Sequence, residues 1–446
     1  MHAETTAGHV ILGWSAAWVA TVIFVAVYVM VVLEKLNRAI LALLGAGLMI
    51  LGGVLTQEAA VRGIDFNTIG LLLGMMVIVG ITGKCGVFQF LAIWSAKKVR
   101  ARPMGVLFML SIVTGVLSAF LDNVTTVLLI VPVTLLITEE LKVKPYPYLI
   151  SEVLFSNIGG TATLIGDPPN IMIGSSVGLT FNDFVLHLTP AILLVMPATL
   201  IPIFLIWRKD LVTTEAAMEK VMRFNDREAI TDLRLLKQSM FVLACVISGF
   251  ILAHALHVEP ATVAMFGAAV LLLLDNLGRS ADEQSKNVHH AFAEVEWVTL
   301  IFFLGLFILV HGLEVSGVIA KMAQALLAAT GGDRNVTVIA ILWGSAILSA
   351  FIDNIPFVAT MIPLIKSMAS TFGGSHALLP LWWALSLGAC LGGNGTLIGA
   401  SANLVVAGMA ERAGQPIRFM AYLKSCFLLM VLSVAVCHLY LWLRYL

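Results

Sequence analysis

Charge is what this chain has least of: charged side chains make up 12% of its 446 residues, with 26 Lys and Arg against 26 Asp and Glu. That is too few for the water-facing surface of a soluble protein of this length. The five cysteines, Cys85, Cys245, Cys390, Cys426 and Cys437, show no C-x-x-C spacing. Their scatter excludes a disulfide framework and a structural zinc site. No nucleotide-binding Gly-rich loop of the G-x-x-x-x-G-K-[S/T] type is present. The uncharged run Val10 to Leu33 has no basic segment before it and no small-residue cleavage site after it. It reads as a retained membrane helix, not a signal peptide.

Apolar residues make up 60% of the chain, and they fall in long tracts. Spans are expected near 11–33, 39–55, 66–83, 148–178 and 187–207, then near 238–256, 261–275, 297–313, 378–410 and 422–443. A polar, helical segment, 208–236, separates the two sets. It divides the chain into a first repeat (1–207), a cytoplasmic linker (208–236) and a second repeat (237–446). Two further apolar tracts, 104–138 and 336–368, each carry an Asp-Asn pair near the middle.

One span cannot be continuous. Phe155 to Asn170 reads FSNIGGTATLIGDPPN, and in a helix interior Gly costs about 1 kcal/mol and Pro about 3 kcal/mol relative to Ala. The chain should unwind there, and irregular backbone at membrane depth survives only where it is buried in protein or lines a wet cavity. A second copy follows: Leu391 to Asn403 reads LGGNGTLIGASAN. The alignment pairs Gly159 with Gly392, Gly160 with Gly393, Thr163 with Thr396 and Asn170 with Asn403. Upstream, SAFLDN (118–123) matches SAFIDN (349–354), Pro132 matches Pro363, Asp65 matches Glu296, Gly74 matches Gly305 and Gly86 matches Gly317. One half of the chain is a diverged copy of the other.

The basic residues sort to one side of this map, leaving only Arg62, Lys321, Arg334, Lys366 and Arg444 on the other. By the positive-inside rule the crowded side is cytoplasmic and both termini are outside. Five spans per repeat is an odd number, so the copies run in opposite directions, with a solute site expected near midplane between them. The fold class is therefore an all-α polytopic membrane protein of two inverted repeats. Each Asp-Asn tract forms either a re-entrant hairpin or two thin spans. The tips favour hairpins, because DNVTT and DNIPF return at once to an apolar helix.

On the hairpin reading, Ser118, Asp122, Asn123 and Thr125 face Ser349, Asp353 and Asn354. The breaks add Asn157, Gly159, Gly160, Thr161, Thr163, Asp167 and Asn170, and Gly393, Asn394, Thr396 and Asn403. Intramembrane carboxylates are costly and by default functional, which makes Asp122, Asp353 and Asp167 candidates for proton coupling. Each also suits a helix N-cap, and Asp167, whose counterpart is Ala400, has the same two readings. His311 with Glu314 reads as an interfacial pair, and Cys390 as a buried thiol close enough to meet a soft metalloid. No Lys or Arg occurs in either tip or break, which disfavours an anionic solute and suits a cation or a neutral polyhydroxy molecule.

SNIGGTATLIGDPPN, the paired Asp-Asn tracts and IDNIPFVATMIP resemble the ion transporter superfamily. More narrowly they are similar to the branch of ArsB-type arsenite permeases, NhaD-type sodium/proton antiporters and the P protein, from about residue 36 to the C-terminus. The resemblance implies a scaffold domain, a transport domain of opposed hairpins (104–138 and 336–368) and broken helices, dimerisation through the scaffold, and an elevator-like motion. It places binding at Asn123, Thr125, 156–170, Asn354 and 392–403. Pro356 stands where a second Thr125 would be, so two symmetric cation sites are not expected. The expected activity is export of arsenite or antimonite as the neutral hydroxide, coupled to proton entry, across the bacterial inner membrane. Na⁺/H⁺ antiport is the alternative, and an ion channel a more distant one. A soluble ATPase is a possible partner, and no cofactor, nucleic acid, structural metal or enzymatic activity is expected.

Overall fold

The computed structural model describes residues 10, 13–33 and 35–446. The expected outside placement of the N-terminus and the first residues of the opening span fall partly outside these. Among the described residues every regular element is helical, and nine helices are long and apolar enough to cross a membrane. The spans lie where hydropathy places them: Phe66–Gly83, Thr189–Trp207, Leu233–Leu256, Trp297–Val315 and Phe419–Tyr445, with shorter Ala16–Val32, Arg38–Leu51 and Pro260–Asn276. Two helices that hydropathy did not separate, Val87–Lys98 and Val318–Ala329, lead into the Asp-Asn tracts.

Each tract is a pair of helices with a two-residue tip. Pro103–Phe120 and Asn123–Glu140 make the first, and Arg334–Phe351 and Asn354–Ser367 the second. The local cause is the same in both. Leu121 and Ile352 are fully extended, and the following Asp starts the second arm as its N-cap. A short polar side chain accepting backbone N–H groups is what a helix start requires.

The expected breaks are present. Tyr146–Gly160 stops before a turn and the chain restarts at Pro168–Val177, with both prolines in the first turn, where a missing N–H costs nothing. Leu379–Gly392 runs through a short 3₁₀ turn and restarts at Ser401–Arg412.

The repeat is visible in the packing. Phe66–Gly83 lies on Pro260–Asn276, and its counterpart Trp297–Val315 lies on Arg38–Leu51. Each half thus supplies one helix to the other half's pair. The paired glycines show why side chains are excluded at these crossings. A Cβ on Gly74 would sit 2.6 Å from the Ala264 backbone, and one on Gly305 would sit 2.5 Å from that of Ala42. The hairpin arms repeat the device on the broken helices, where a Cβ on Gly159 would lie 2.0 Å from the Gly115 carbonyl and one on Gly392 2.5 Å from that of Ala346. Close backbone approach of this kind carries helix association in lipid, where apolar burial supplies no preference for one helix over another.

The linker, 208–236, folds back on the first repeat. Thr231 bonds both Lys84 and Cys85 through their carbonyls, and Lys97 reaches Asp226 at 2.5 Å.

Candidate functional site

The two breaks are held open by the same set of bonds. Ser118 Oγ donates to the Ser156 carbonyl and Ser349 Oγ to that of Ala389, each at 2.6 Å, tying each hairpin to its broken helix. Thr163 donates to the Ala119 carbonyl and Thr396 to that of Ala350. Asn170 Nδ2 donates to the carbonyls of Thr161 and Thr163 at 3.1 and 2.8 Å. Asn403 does the same for Gly393 and Thr396 at 2.7 and 2.8 Å. Carbonyls orphaned by the helix ends are thereby satisfied without water. Asn170 and Asn403, read from sequence as solute ligands, have spent their amide groups on their own backbone.

Their oxygens are also taken. Asn170 Oδ1 accepts from Ser386 at 2.5 Å, with the Cys390 thiol 3.6 Å away. Asn403 Oδ1 accepts from Asn157, whose Nδ2 also donates to Asn394 Oδ1 at 2.9 Å, while Asn157 Oδ1 accepts from Asn123 at 2.9 Å. A buried chain of amides therefore runs from the first tip through the first break into the second. Gly159, Gly160 and Gly393 serve close packing, and a Cβ on Gly160 would lie 2.4 Å from the Gly166 carbonyl. Thr161 turns its hydroxyl back to the Asn157 carbonyl at 2.6 Å.

The three candidate carboxylates differ sharply. Asp122 is a cap: Oδ1 accepts from the Thr125 N–H at 2.8 Å and Oδ2 from the Thr125 hydroxyl. Thr125 is consumed by that bond. Asp353 is an ion pair, 2.8 Å from Arg38, and it also accepts from the Ile355 N–H at 3.1 Å. Asp167 starts its helix half without capping it by its side chain. It is fully buried, its Oδ1 meets Asn354 Nδ2 at 3.4 Å, and its Oδ2 has no partner. Of its two readings from sequence, the helix-cap one is not realised, because the side chain makes no cap bond.

These groups enclose a chamber of about 20 Å³ lined by Asp122, Asn123, Asp167, Asn354, Glu296, Thr299 and Ser401 among others. That is room for one water-sized occupant. A wider cavity of about 280 Å³ adjoins it, sharing Val124, Glu296 and Ser401 and opening past Arg38 and Asp353.

Arg38 corrects the charge reading. The sequence shows no basic residue in the tips or breaks, but the N-terminal end of Arg38–Leu51 comes beside the second tip. The guanidinium also donates to Ser401 at 2.7 Å and Thr299 at 3.1 Å, and lies over the Phe302 ring at 5.2 Å. The second tip is therefore not a bare carboxylate, and the charge argument against anions loses its premise there. Sequence reading missed Arg38 because a basic residue at a span edge looks like a membrane anchor. Glu296 carried a signal, its repeat pairing with Asp65, and Ser401 lies within the second break. Glu152 carried none: it is fully buried, accepts from Thr134 at 2.5 Å and keeps one unpartnered oxygen. His311 and Glu314 pair at 3.2 Å, away from the chamber, as expected.

Comparison with known proteins is consistent across the chain. A family model described as a citrate transporter, CitMHS, matches residues 28–388. An uncharacterized transporter of Mycobacterium tuberculosis (strain ATCC 25618 / H37Rv) is 44% identical over 432 residues, spanning 96% of this chain and 98% of that protein. The 46 kDa membrane protein of Mycobacterium leprae is 40% identical over 432 residues, spanning 96% and 99%. The P protein of Sus scrofa is 34% identical over 505 residues, covering 94% of this chain but 59% of the longer relative. Among solved structures, the Alcanivorax borkumensis YdaH transporter matches with a TM-score of 0.58 at 14% identity, over 95% of this chain and 97% of that one, a likeness of fold alone.

Proposed function

The chain belongs to the CitMHS family of membrane transporters within the ion transporter superfamily, and from that premise we propose that it is a secondary active exchanger in which Asp167 carries the coupling proton. The observation that carries this reading is the buried, unpartnered Asp167 Oδ2 on a chamber the size of one water. An unneutralised carboxylate in such a place is stabilised by taking up a proton or a small cation. One proton moving down 100 mV supplies about 2.3 kcal/mol, enough to drive a neutral solute well above equilibrium.

The cargo is arsenite or antimonite as the neutral hydroxide, exported against proton entry. Arg38 and Asp353 already cancel one another in the wider cavity, so a neutral solute adds no charge there. Its hydroxyls find partners in the carboxylates, amides and the Ser401 hydroxyl. The Asp-Asn tracts act as re-entrant hairpins entering from opposite sides, both termini face outward in the inner membrane, and the two scaffold faces meet in a homodimer. A soluble ATPase is an optional partner.

A second reading, Na⁺/H⁺ exchange, is favoured by the chamber itself, whose size and three carboxylates, Asp122, Asp167 and Glu296, suit one dehydrated cation. Purified protein in vesicles with an imposed pH gradient separates the two. Arsenite flux that collapses the gradient supports the first; sodium flux with no arsenite flux moves the assignment to the second. If neither solute responds to the gradient, both fail.

A further inference from the structure

The boundary between the helices that pack as crossed pairs and the hairpin layer is held differently at its two pseudo-equivalent places. At one, the contact is made of neutral donors on an acid: Ser175 Oγ donates to Asp65 at 2.8 Å, with Asn67 on Ser175 at 3.1 Å. At the other, Arg38 of the crossed pair, steadied by its own neighbour Thr299 at 3.1 Å, grips Asp353 of the tip at 2.8 Å and donates to Ser401 of the broken helix at 2.7 Å. The register that pairs Ala42 with Ala264 sets Pro260 opposite Arg38, and Ser401 stands where the first copy has Pro168. The charged grip therefore exists in one half only.

Resting on the exchanger reading above, we infer that Arg38 is a positioning residue that latches the second hairpin to the crossed helices, and that the hairpin layer moves only when the guanidinium leaves Asp353 for Glu296. Half-buried charge pairs of this kind are costly to break unless a second partner is at hand. Glu296 meets that need. It lines both the chamber and the wider cavity, its Oε2 is 3.3 Å from the Thr299 hydroxyl that Arg38 also touches, and no basic side chain lies within ion-pairing distance of it among the described residues. Handing the guanidinium from Asp353 to Glu296 keeps it paired throughout and moves its partner from the hairpin layer to the crossed pair. The first half, lacking an arginine, has no such hold, so the latch biases the exchanger toward the state seen here.

The test reads conformation without relying on flux. In a background with the five native cysteines replaced, Leu404→Cys on the wall of the wider cavity is labelled with a membrane-impermeant maleimide in reconstituted vesicles. Arg38→Ala and Asp353→Asn should each change the labelling rate by about tenfold or more in the same direction, with no further change when combined. The exchanged pair Arg38→Asp with Asp353→Arg should return the rate toward the parent value, which a merely misfolded variant would not do. Glu296→Gln should leave the labelling rate of the resting state near the parent value and slow its response to an imposed pH gradient. Unchanged rates in Arg38→Ala and Asp353→Asn, or additive effects in the double variant, overturn the latch. Absence of arsenite and sodium flux in the parent protein overturns the exchanger reading instead, and leaves the labelling result to be read by itself.

Discussion

Asn157 of the first break donates its side-chain amide to Asn394 of the second at 2.9 Å, in the buried centre of the molecule. The two halves of the chain meet there, Asn157 from the last turn before the first break and Asn394 from the short 3₁₀ turn of the second.

Asn157→Ala should be the most damaging of the asparagine variants. It strands the amide of Asn123 and the oxygens of Asn394 and Asn403, and each buried group left unpaired costs about 1–3 kcal/mol. Asn394→Ala leaves Asn157 its bond to Asn403 and should cost less. Thermal unfolding in detergent, followed by size-exclusion, ranks them: Asn157→Ala lowest, Asn394→Ala intermediate. The reverse order would mean that the chain of amides does not hold the breaks together.

Gly159→Ala and Gly344→Ala make a matched pair of helix substitutions. A methyl at Gly159 would stand 2.0 Å from a backbone carbonyl, while at Gly344 it meets nothing within 4 Å. The first forces a hairpin arm off the broken helix, at a cost above the about 1–3 kcal/mol of ordinary overpacking. The second should be neutral or stabilise by about 0.5–1 kcal/mol through the lost freedom of glycine. Equal thermal midpoints for the two variants would contradict the close packing described here.

The linker should loosen in acid. Lys97, bonded to the Asp226 carboxylate, holds that carboxyl below the usual carboxylate range. Its contribution is therefore complete above the ordinary Asp value of about 4 and is lost as pH falls through the lower folded value. A pair this close to the surface is worth at most about 1 kcal/mol. Hydrogen exchange of 208–236 should rise in the parent protein as pH falls below about 4, by the general relation for a lowered carboxyl. In Asp226→Asn it should already be raised at neutral pH and change little further.

How much of this was legible beforehand follows from the physics of each feature. Apolar runs, Gly-Pro interruptions and the repeat of SAF-Asp-Asn are local signals, and they located the spans, both tips and both breaks. Partnership is not local. Asp122, Asp167 and Asp353 look alike in sequence, but one caps a helix, one pairs with an arginine far away in the chain, and one meets an amide through one oxygen and leaves the other without a partner. Asn170 and Asn403 look like ligands because amides in an interrupted helix can serve a solute or the interrupted backbone equally well, and only the fold decides that they serve the backbone.

Asp167→Asn is the variant on which the coupling argument turns. The substitution keeps the size of the side chain and fixes it in an uncharged form. Asp167 caps nothing with its side chain, so its helix half should stay in place, and unfolding should stay within about 0.5 kcal/mol of the parent protein or improve once an isolated buried carboxyl is gone. Flux driven by a pH gradient should fall at least tenfold, because no site remains to carry the proton across. Downhill flux of the cargo, with no gradient imposed, should persist. Asp122→Ala should do the opposite, removing the cap at the first tip and lowering stability by about 1 kcal/mol while leaving the pH response of the residual flux intact. Retention of full gradient-driven transport in Asp167→Asn would remove this residue from the coupling step and return the role to Asp122, Asp353 or the buried Glu152.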